Sequence, residues 1–367
     1  MSSTPARADG MRIIHVLHSK GYGGAESHAL MMMKGQRALG HEVMYAGRLD
    51  SWLGRACQEH GIPATNIRMS GLFDLRSHWA LRRLAREWKA DVLHGHLIRA
   101  SWYVGLAAGH RGKSGQRAIA ISTAHATTAD KHMGRCAHII AVSHAVQDQL
   151  VLRGYAPARI TVIHNGIPDG PVADRAAVRR ELGIPDGQFA AVNVGRFIHD
   201  KGQDLLIRAM AQQADPTQHL YLIGDPATDF GRALQAANPD TPKVTYLGYR
   251  GDVQRLLPAF DAYALSSRRE ALSISVIEAF AARVPVVATA VGGVPEIVMH
   301  DQTGLLVPTE DAAALAAGLD RLRRDEGLRQ RLAATGRRFY EAHLTDGAMV
   351  DKTLAVYERA RADTLKD

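Results

Sequence analysis

RIIHVLHSKGYGGAESHALMMMKGQRALGHEVMYA, residues 12–46, sets the fold class of this chain. It opens with an apolar, β-branched run, residues 12–18, that reads as a buried strand and stops at Gly21-Tyr22-Gly23-Gly24. Residues 25–39 then read as a helix and 41–46 as a second strand, which makes a βαβ unit.

The same pattern recurs. Strands are expected at 91–94, 117–123, 137–142 and 160–164, with helices at 100–108 and 145–153 between them. Residues 165–187 turn rich in Gly, Pro, Asp and Ala, the composition of a connector. A second series follows, with strands at 189–195, 219–224, 244–248, 262–266, 284–289 and 304–307 and helices at 202–211 and 276–282. Long charged helices run from residue 311 to the C-terminus. Alternating strands and helices imply parallel sheets covered on both faces, so the fold class is α/β with two Rossmann-like, doubly wound domains. Ligands of such sheets bind beyond the C-terminal strand ends, and two facing sheets would place a cleft between the domains.

Composition agrees with two soluble domains. The chain has 367 residues, of which 46% are hydrophobic and 22% charged. Its longest apolar stretch, 284–294, is interrupted by Pro285 and a glycine pair and is too short to span a bilayer. The first ten residues lack the apolar run of a secretory signal and read as a frayed terminus, so a cytoplasmic chain is expected. Cys57 and Cys136 give no disulfide framework and no paired-cysteine zinc site. A net charge of +8 calls for an acidic partner or an anionic surface. RNP-like strands, zinc-finger spacings and a basic zipper are all absent, so nucleic acid is not expected.

Several residues fit anion and sugar chemistry. The loop 21–26 leaves a strand and starts a helix, so its amides and the helix dipole can face a phosphate; Glu26 stands where a dinucleotide fingerprint has its third glycine, and a plain tight turn is the alternative. Arg196 and Lys201 follow the first strand of the second series, where they can clamp a diphosphate or simply be surface cations. Glu270 and Glu278 flank residues 271–275 at a helix start, where one carboxylate can accept from a sugar and the other from a ribose diol; a solvated helix is the alternative. His125, just past a strand end, can bond a sugar hydroxyl or be a satisfied core histidine.

Absences also inform. No Asp-x-Asp pair and no His-Glu-x-x-His helix occurs, which points to chemistry without a metal. His94 and His96 offer two metal ligands, and no third is evident. Residues 107–114, AAGHRGKS, fit a loose P-loop pattern but run from helix to strand, so a basic surface turn is expected. Ser143 mimics a nucleophile elbow without the partners of one.

Taken in order, these segments resemble the GT4 family of glycosyltransferases over essentially the whole chain. The resemblance rests on Gly23-Gly24-Ala25-Glu26, Asp91-Val92-Leu93-His94, Ala141-Val142-Ser143, Val162 to Ile167 and Gly195-Arg196 with Lys201-Gly202. It continues through Leu247-Gly248, Glu270 to Glu278, Pro285 to Thr289, Gly292 to Glu296 and Gly304 to Pro308.

That resemblance implies a GT-B fold and a retaining, metal-independent transfer from a UDP- or GDP-sugar to a glycan, lipid-linked or lipopolysaccharide acceptor, with no cofactor. It implies an acceptor-side domain over 1–168, a linker over 169–187, a nucleotide-sugar domain over 188–345 and a helix, 346–367, crossing back to the first domain. Arg196 and Lys201 would bind the diphosphate, Glu270 the sugar, Glu278 the ribose and His125 a hydroxyl near the reacting carbon, these being the catalytic set with the exception of Glu278. Gly23, Gly24 and Gly224 would border the donor, Ala271, Leu272, Ser273 and Ile274 would offer amides, and the base would lie near Tyr249 and Arg250. The implied mechanism is front-face substitution, in which the leaving phosphate takes the acceptor's proton. Ala271, Arg283 and His144 depart from the common pattern, where Gly, Gly and Glu are frequent. Rival readings are a nucleotide-sugar epimerase of the same fold and a non-catalytic nucleotide-sugar-binding protein.

Between residues 72 and 89, Leu81, Leu84, Ala85 and Trp88 share one helical face bordered by Arg82, Arg83, Arg86 and Lys89. Such a helix can rest on anionic lipid at the cytoplasmic face of the inner membrane or serve as an ordinary covering helix.

Overall fold

The computed structural model describes residues 10–128, 132–171, 173–238 and 242–364. Its first sheet holds seven strands: β1 (Arg12–Leu17), β2 (Glu42–Gly47), β3 (Ala64–Asn66), β4 (Val92–His96), β5 (Ile119–Ala124), β6 (His138–Ala141) and β7 (Ile160–Val162). They lie in the order β3-β2-β1-β4-β5-β6-β7, all parallel. The second sheet holds β8 (Phe189–Val194), β9 (Gln218–Ile223), β10 (Val244–Gly248), β11 (Ala262–Leu265), β12 (Val286–Thr289) and β13 (Leu305–Val307) in the order β10-β9-β8-β11-β12-β13, again all parallel.

Both sheets reverse their winding once, between β1 and β4 in the first and between β8 and β11 in the second. Neighbouring connections there leave in opposite directions and open a crevice at the C-terminal strand ends.

Each sheet belongs to its own unit: residues 1–168 with 346–367, and residues 169–345. In the first unit, Met32 and Met33 of the helix Gly24–Ala38 and Leu354 and Tyr357 of the helix Asp346–Asp363 cover one sheet face. Leu81 and Ala85 of the helix Leu75–Glu87, with Ala100 and Val104 of the helix Leu97–Ala107, cover the other. In the second unit, Leu205, Leu206 and Ala209 pack with Leu315 and Leu319 against β8, β9 and β11. Burial on both faces explains why these strands read as near-continuous apolar runs.

One expectation needs correction. The stretch 169–187 is not a loose connector: it contains the seven-residue helix Arg175–Glu181, capped by Asp174, whose Oδ1 accepts from Ala176 N. Arg175 and Arg179 tie that helix to Asp261 and to the carbonyls of Pro258, Ala259 and Phe260, so the segment is part of the second unit. Of the two readings of the helix between residues 72 and 89, its apolar face answers to the covering one: Leu81 and Ala85 are buried in the first core with Leu84 and Trp88 packed against them.

The two decoys resolve structurally. Ser143 caps the helix His144–Leu152, its Oγ accepting from Val146 N at 3.2 Å. In the 107–114 turn, Ser114 donates from N and Oγ to Asp91 Oδ1, and Lys113 pairs with Glu42.

Candidate active site

In the second unit the loop after β8 carries Gly195 and Arg196 into a short 3-10 turn, His199–Lys201, and then Gly202. Gly202 has φ of 64°, and a Cβ there would lie 2.1 Å from the Ser266 carbonyl oxygen. Only glycine lets this loop press so closely on the one that follows β11. Ser266 Oγ donates to the Lys201 carbonyl at 3.0 Å, which fastens the two loops together. Lys201 Nζ then reaches Glu270 Oε1 as an ion pair, and Ser267 Oγ donates to the same oxygen at 3.0 Å.

Glu270 is held from behind as well. Gly292 has φ of 53°, and a Cβ there would lie 1.7 Å from the Glu270 carbonyl oxygen. Arg268 fixes the rest of the loop through both oxygens of Asp204, through Glu310 and through the His199 carbonyl. Arg196 itself is exposed, and its carbonyl accepts from Gln203 Nε2 at 3.0 Å.

Residues Ala271, Leu272 and Ser273 lead into the helix Ile274–Ala281, whose N-cap Ser273 makes no side-chain cap bond. Ser273 Oγ instead lies 3.1 Å from Ser275 Oγ, to which buried Tyr263 also bonds at 2.6 Å. First-turn amides without a side-chain cap are open to an anion. On the same helix, burial pushes the Glu278 carboxyl up to about 7. Gly224, at the end of β9, donates its N–H to Gly248 O at 2.9 Å. Tyr249 is exposed, whereas Arg250 is committed to Asp252 and Glu181.

The first unit presents a different chemistry. Gly23 is the extended N-cap of the helix Gly24–Ala38, with the Glu26 carboxylate close beside it. Five histidines converge at the β1/β4 reversal: His15 on β1, His94 and His96 on β4, His28 on the first helix and His125 just after β5. His125 Nε2 lies 3.1 Å from His96 Nδ1, His96 Nε2 lies 2.9 Å from His15 Nδ1, and His15 Nε2 lies 2.8 Å from Gln36 Oε1. His94 bonds Tyr357 OH at 2.5 Å and Thr123 Oγ1 at 2.6 Å, and His28 Nδ1 bonds Asn165 Oδ1 at 3.0 Å. Desolvation lowers His15 and His28 to about 4 and drives His94, His96 and His125 well below the usual imidazole range. All five are therefore neutral near pH 7.

The expectation that His94 and His96 lack a third partner is corrected here. His15 joins them, and His28, His96 and His125 form a second group, each with nitrogens within 4.8 Å of one another. The parallel pairing of β1 with β4 is the cause, since it puts His15 directly opposite His94. Yet His15 and His96 each use both ring nitrogens in a line of hydrogen bonds, which is the geometry of a chain and not of a chelate with one shared point.

Thus Lys201, Glu270 and residues 271–274 come together in the second unit, with Arg196 on the adjoining loop, while His125 sits with His94 and His96 among two further histidines, His15 and His28, that the sequence did not single out. The signal for that group was the His-x-His spacing of β4, which puts both rings on one sheet face.

Comparison with known proteins bears on both units. A family model described as Glycosyltransferase Family 4 matches residues 22–170, and one described as Glycosyl transferases group 1 matches residues 174–339. The chain is 28% identical over 363 residues to the lipopolysaccharide core biosynthesis glycosyltransferase LpsD of Rhizobium meliloti, covering 96% of this chain and 99% of that one. It is 34% identical over 228 residues to the D-inositol 3-phosphate glycosyltransferase of Mycobacteroides abscessus, a match spanning 59% of this chain and only 50% of that relative. In fold it is similar to Anabaena Alr3699/HepE, solved with UDP and glucose, at a TM-score of 0.84 and 22% identity over 95% of this chain and 99% of that one. With two matching family models in sequence, one on each unit, and two parallel sheets, the chain belongs to the GT4-type glycosyltransferases of the GT-B fold.

Proposed function

We propose that this glycosyltransferase moves a sugar from a UDP- or GDP-sugar, with retention at the anomeric carbon and without a metal, onto a glycan, lipid-linked or lipopolysaccharide acceptor. The observation that carries the donor reading is the Lys201–Glu270 pair at the β8/β11 reversal, beside exposed Arg196 and the N-terminus of the helix Ile274–Ala281. Two cations and a helix N-terminus suit the charge that develops on a departing diphosphate. On this reading the leaving phosphate, with its own oxygen as base, receives the acceptor's proton. Neutral His125 then contacts a sugar hydroxyl, and Glu278 accepts from the ribose. Likeness to LpsD supports a lipopolysaccharide acceptor.

A membrane-bound acceptor would bring the chain to a cytoplasmic membrane surface. Among the described residues no helix is long and apolar enough to cross a bilayer. A surface contact is instead favoured by Phe73, Leu75 and Trp79, which are 83%, 77% and 65% exposed, beside exposed Arg76, Arg82, Arg83 and Arg86.

A thermal-shift screen of nucleotides and nucleotide sugars, followed by NMR of the product anomer with and without EDTA, tests the donor reading. Stabilisation by a nucleoside diphosphate and an EDTA-insensitive product of unchanged configuration are expected. Isomerised donor, or binding without turnover, would replace this reading with an epimerase or a binding protein.

A further inference from the structure

Gln36 sets a direction along the histidine chain. Its amide nitrogen donates to Tyr357 OH at 3.3 Å, so its carbonyl oxygen is the atom that faces His15 Nε2. A carbonyl oxygen only accepts, so His15 carries its proton on Nε2 and leaves Nδ1 bare. His96 must then donate from Nε2 to His15 Nδ1, and its own Nδ1 is left to accept. His125 in turn must donate from Nε2 to His96 Nδ1. What remains on His125 is Nδ1, a lone pair that no partner engages among the described residues. The second branch accommodates the same polarity: Tyr357 OH accepts from Gln36 and keeps its proton to give to His94 Nδ1, with His94 Nε2 then able to donate to Thr123 Oγ1.

We propose that His96, His15 and Gln36 are positioning residues that lock His125 as its Nε2–H tautomer, so that Nδ1 accepts a hydrogen bond from a carbohydrate hydroxyl. The chain begins on the first helix, crosses β1 and β4 and ends past β5, so the tautomer is set by three separate elements of the first unit. Burial reinforces it, because no ring in the line can take a second proton near neutral pH and reverse the direction. A hydroxyl can donate to the site, while a group that only accepts meets a lone pair and is rejected. The role in transfer rests on the reading of His125 as the sugar-facing histidine; the tautomer does not.

The test is long-range ¹⁵N–¹H correlation NMR of histidine-labelled full-length chain, with His125 assigned by loss of its signals in His125→Ala. In the unmutated chain one tautomer is expected, protonated at Nε2 and bare at Nδ1; a His125 protonated at Nδ1 overturns the proposal without any further variant. His96→Leu removes the acceptor and should release a tautomer mixture, whereas His96→Asn, whose Oδ1 stands in for Nδ1, should restore the Nε2–H form. An unchanged tautomer in His96→Leu also overturns the proposal. Turnover of UDP-glucose or GDP-mannose, whichever raises the melting temperature, should lose tenfold or more in kcat with little change in KM in His96→Leu and recover in His96→Asn, about the scale of one hydrogen bond. A tautomer that switches with transfer intact leaves the lock standing and removes His125 from the sugar contact.

Discussion

Lys201 and Glu270 are bound to each other across two loops, one leaving β8 and one leaving β11, with Ser267 donating to the same carboxylate oxygen. The pair lies at the point where the second sheet reverses, so each partner holds the other at the mouth of the crevice. A donor that enters there must engage a pre-formed ion pair in place of two mobile side chains.

Separating the partners should separate their roles. Glu270→Ala is expected to abolish sugar transfer while leaving the thermal shift from a free nucleoside diphosphate largely intact. Lys201→Ala should lower that shift and reduce transfer by about 10²–10³-fold, the usual loss when one charge-stabilising donor is removed. Equal loss of nucleotide binding in both variants would refute the assignment of Glu270 to the sugar.

Glu278 gives the second unit a pH signature. Its carboxyl is raised by burial from 4.5 to about 7, so between these values the folded chain holds a proton that the unfolded chain has released. Stability from this group is therefore full below pH 4.5 and is lost as pH rises toward 7, by about 3 kcal/mol at roughly 1.4 kcal/mol per unit. Glu278→Gln should flatten that slope. A ribose diol donates best to the ionised form, so nucleotide affinity should rise through pH 7 in the unmutated chain and stay level in Glu278→Gln. Calorimetric titration at pH 6 and 8 decides it.

The first unit should respond in the opposite sense. Its five histidines have lowered folded values, so below pH 6.5 the unfolded chain takes up protons that the folded chain refuses. Their contribution is present above pH 6.5 and is lost as pH falls from there toward about 4, where His15 and His28 protonate in the folded chain. Hydrogen exchange, after correction for intrinsic rates, should show β1 and β4 losing protection between pH 7 and 5.5 while β8 and β11 do not. Parallel loss in both sheets would contradict the placement of these histidines as buried and neutral.

Tyr357 links the C-terminal helix to this cluster. Tyr357→Phe leaves His94 Nδ1 and Gln36 Nε2 buried without their partner, a loss of about 1–3 kcal/mol. Urea unfolding should report it as a lower midpoint for the first unit. A change below roughly 0.5 kcal/mol, the scatter of neutral surface changes, would mean that the hydroxyl is dispensable.

What the sequence revealed followed the reach of its signals. Strand runs and glycine turns are local, so the parallel sheets and the loop positions of Lys201, Glu270 and His125 were legible from spacing alone. The histidine chain was not, because His15 and His96 stand 81 residues apart and meet only through the pairing of β1 with β4. The helix Arg175–Glu181 was hidden by its glycine- and proline-rich flanks, and its stability comes from Asp261 far along the chain. The basic helix stayed open between two readings for a different reason: periodicity marks an apolar face without saying whether the core or the outside covers it.

That helix still carries the last prediction. With Leu81 and Ala85 buried, the residues left outside are Phe73, Leu75 and Trp79 at its N-terminal end, with Arg83 stacked 5.5 Å from the Trp79 ring. Aromatic and aliphatic side chains beside arginines suit the boundary between lipid headgroups and acyl chains, where the rings insert and the guanidiniums meet phosphate. Flotation with vesicles containing anionic lipid should therefore recover the chain at low salt, and Trp79→Ser with Phe73→Ser should reduce recovery at every salt concentration. Arg82→Gln with Arg86→Gln should instead reduce it mainly at low salt, where unscreened charge contributes most. Absence of flotation at low salt with anionic vesicles would leave the exposed residues to some other partner and remove the membrane from this reading.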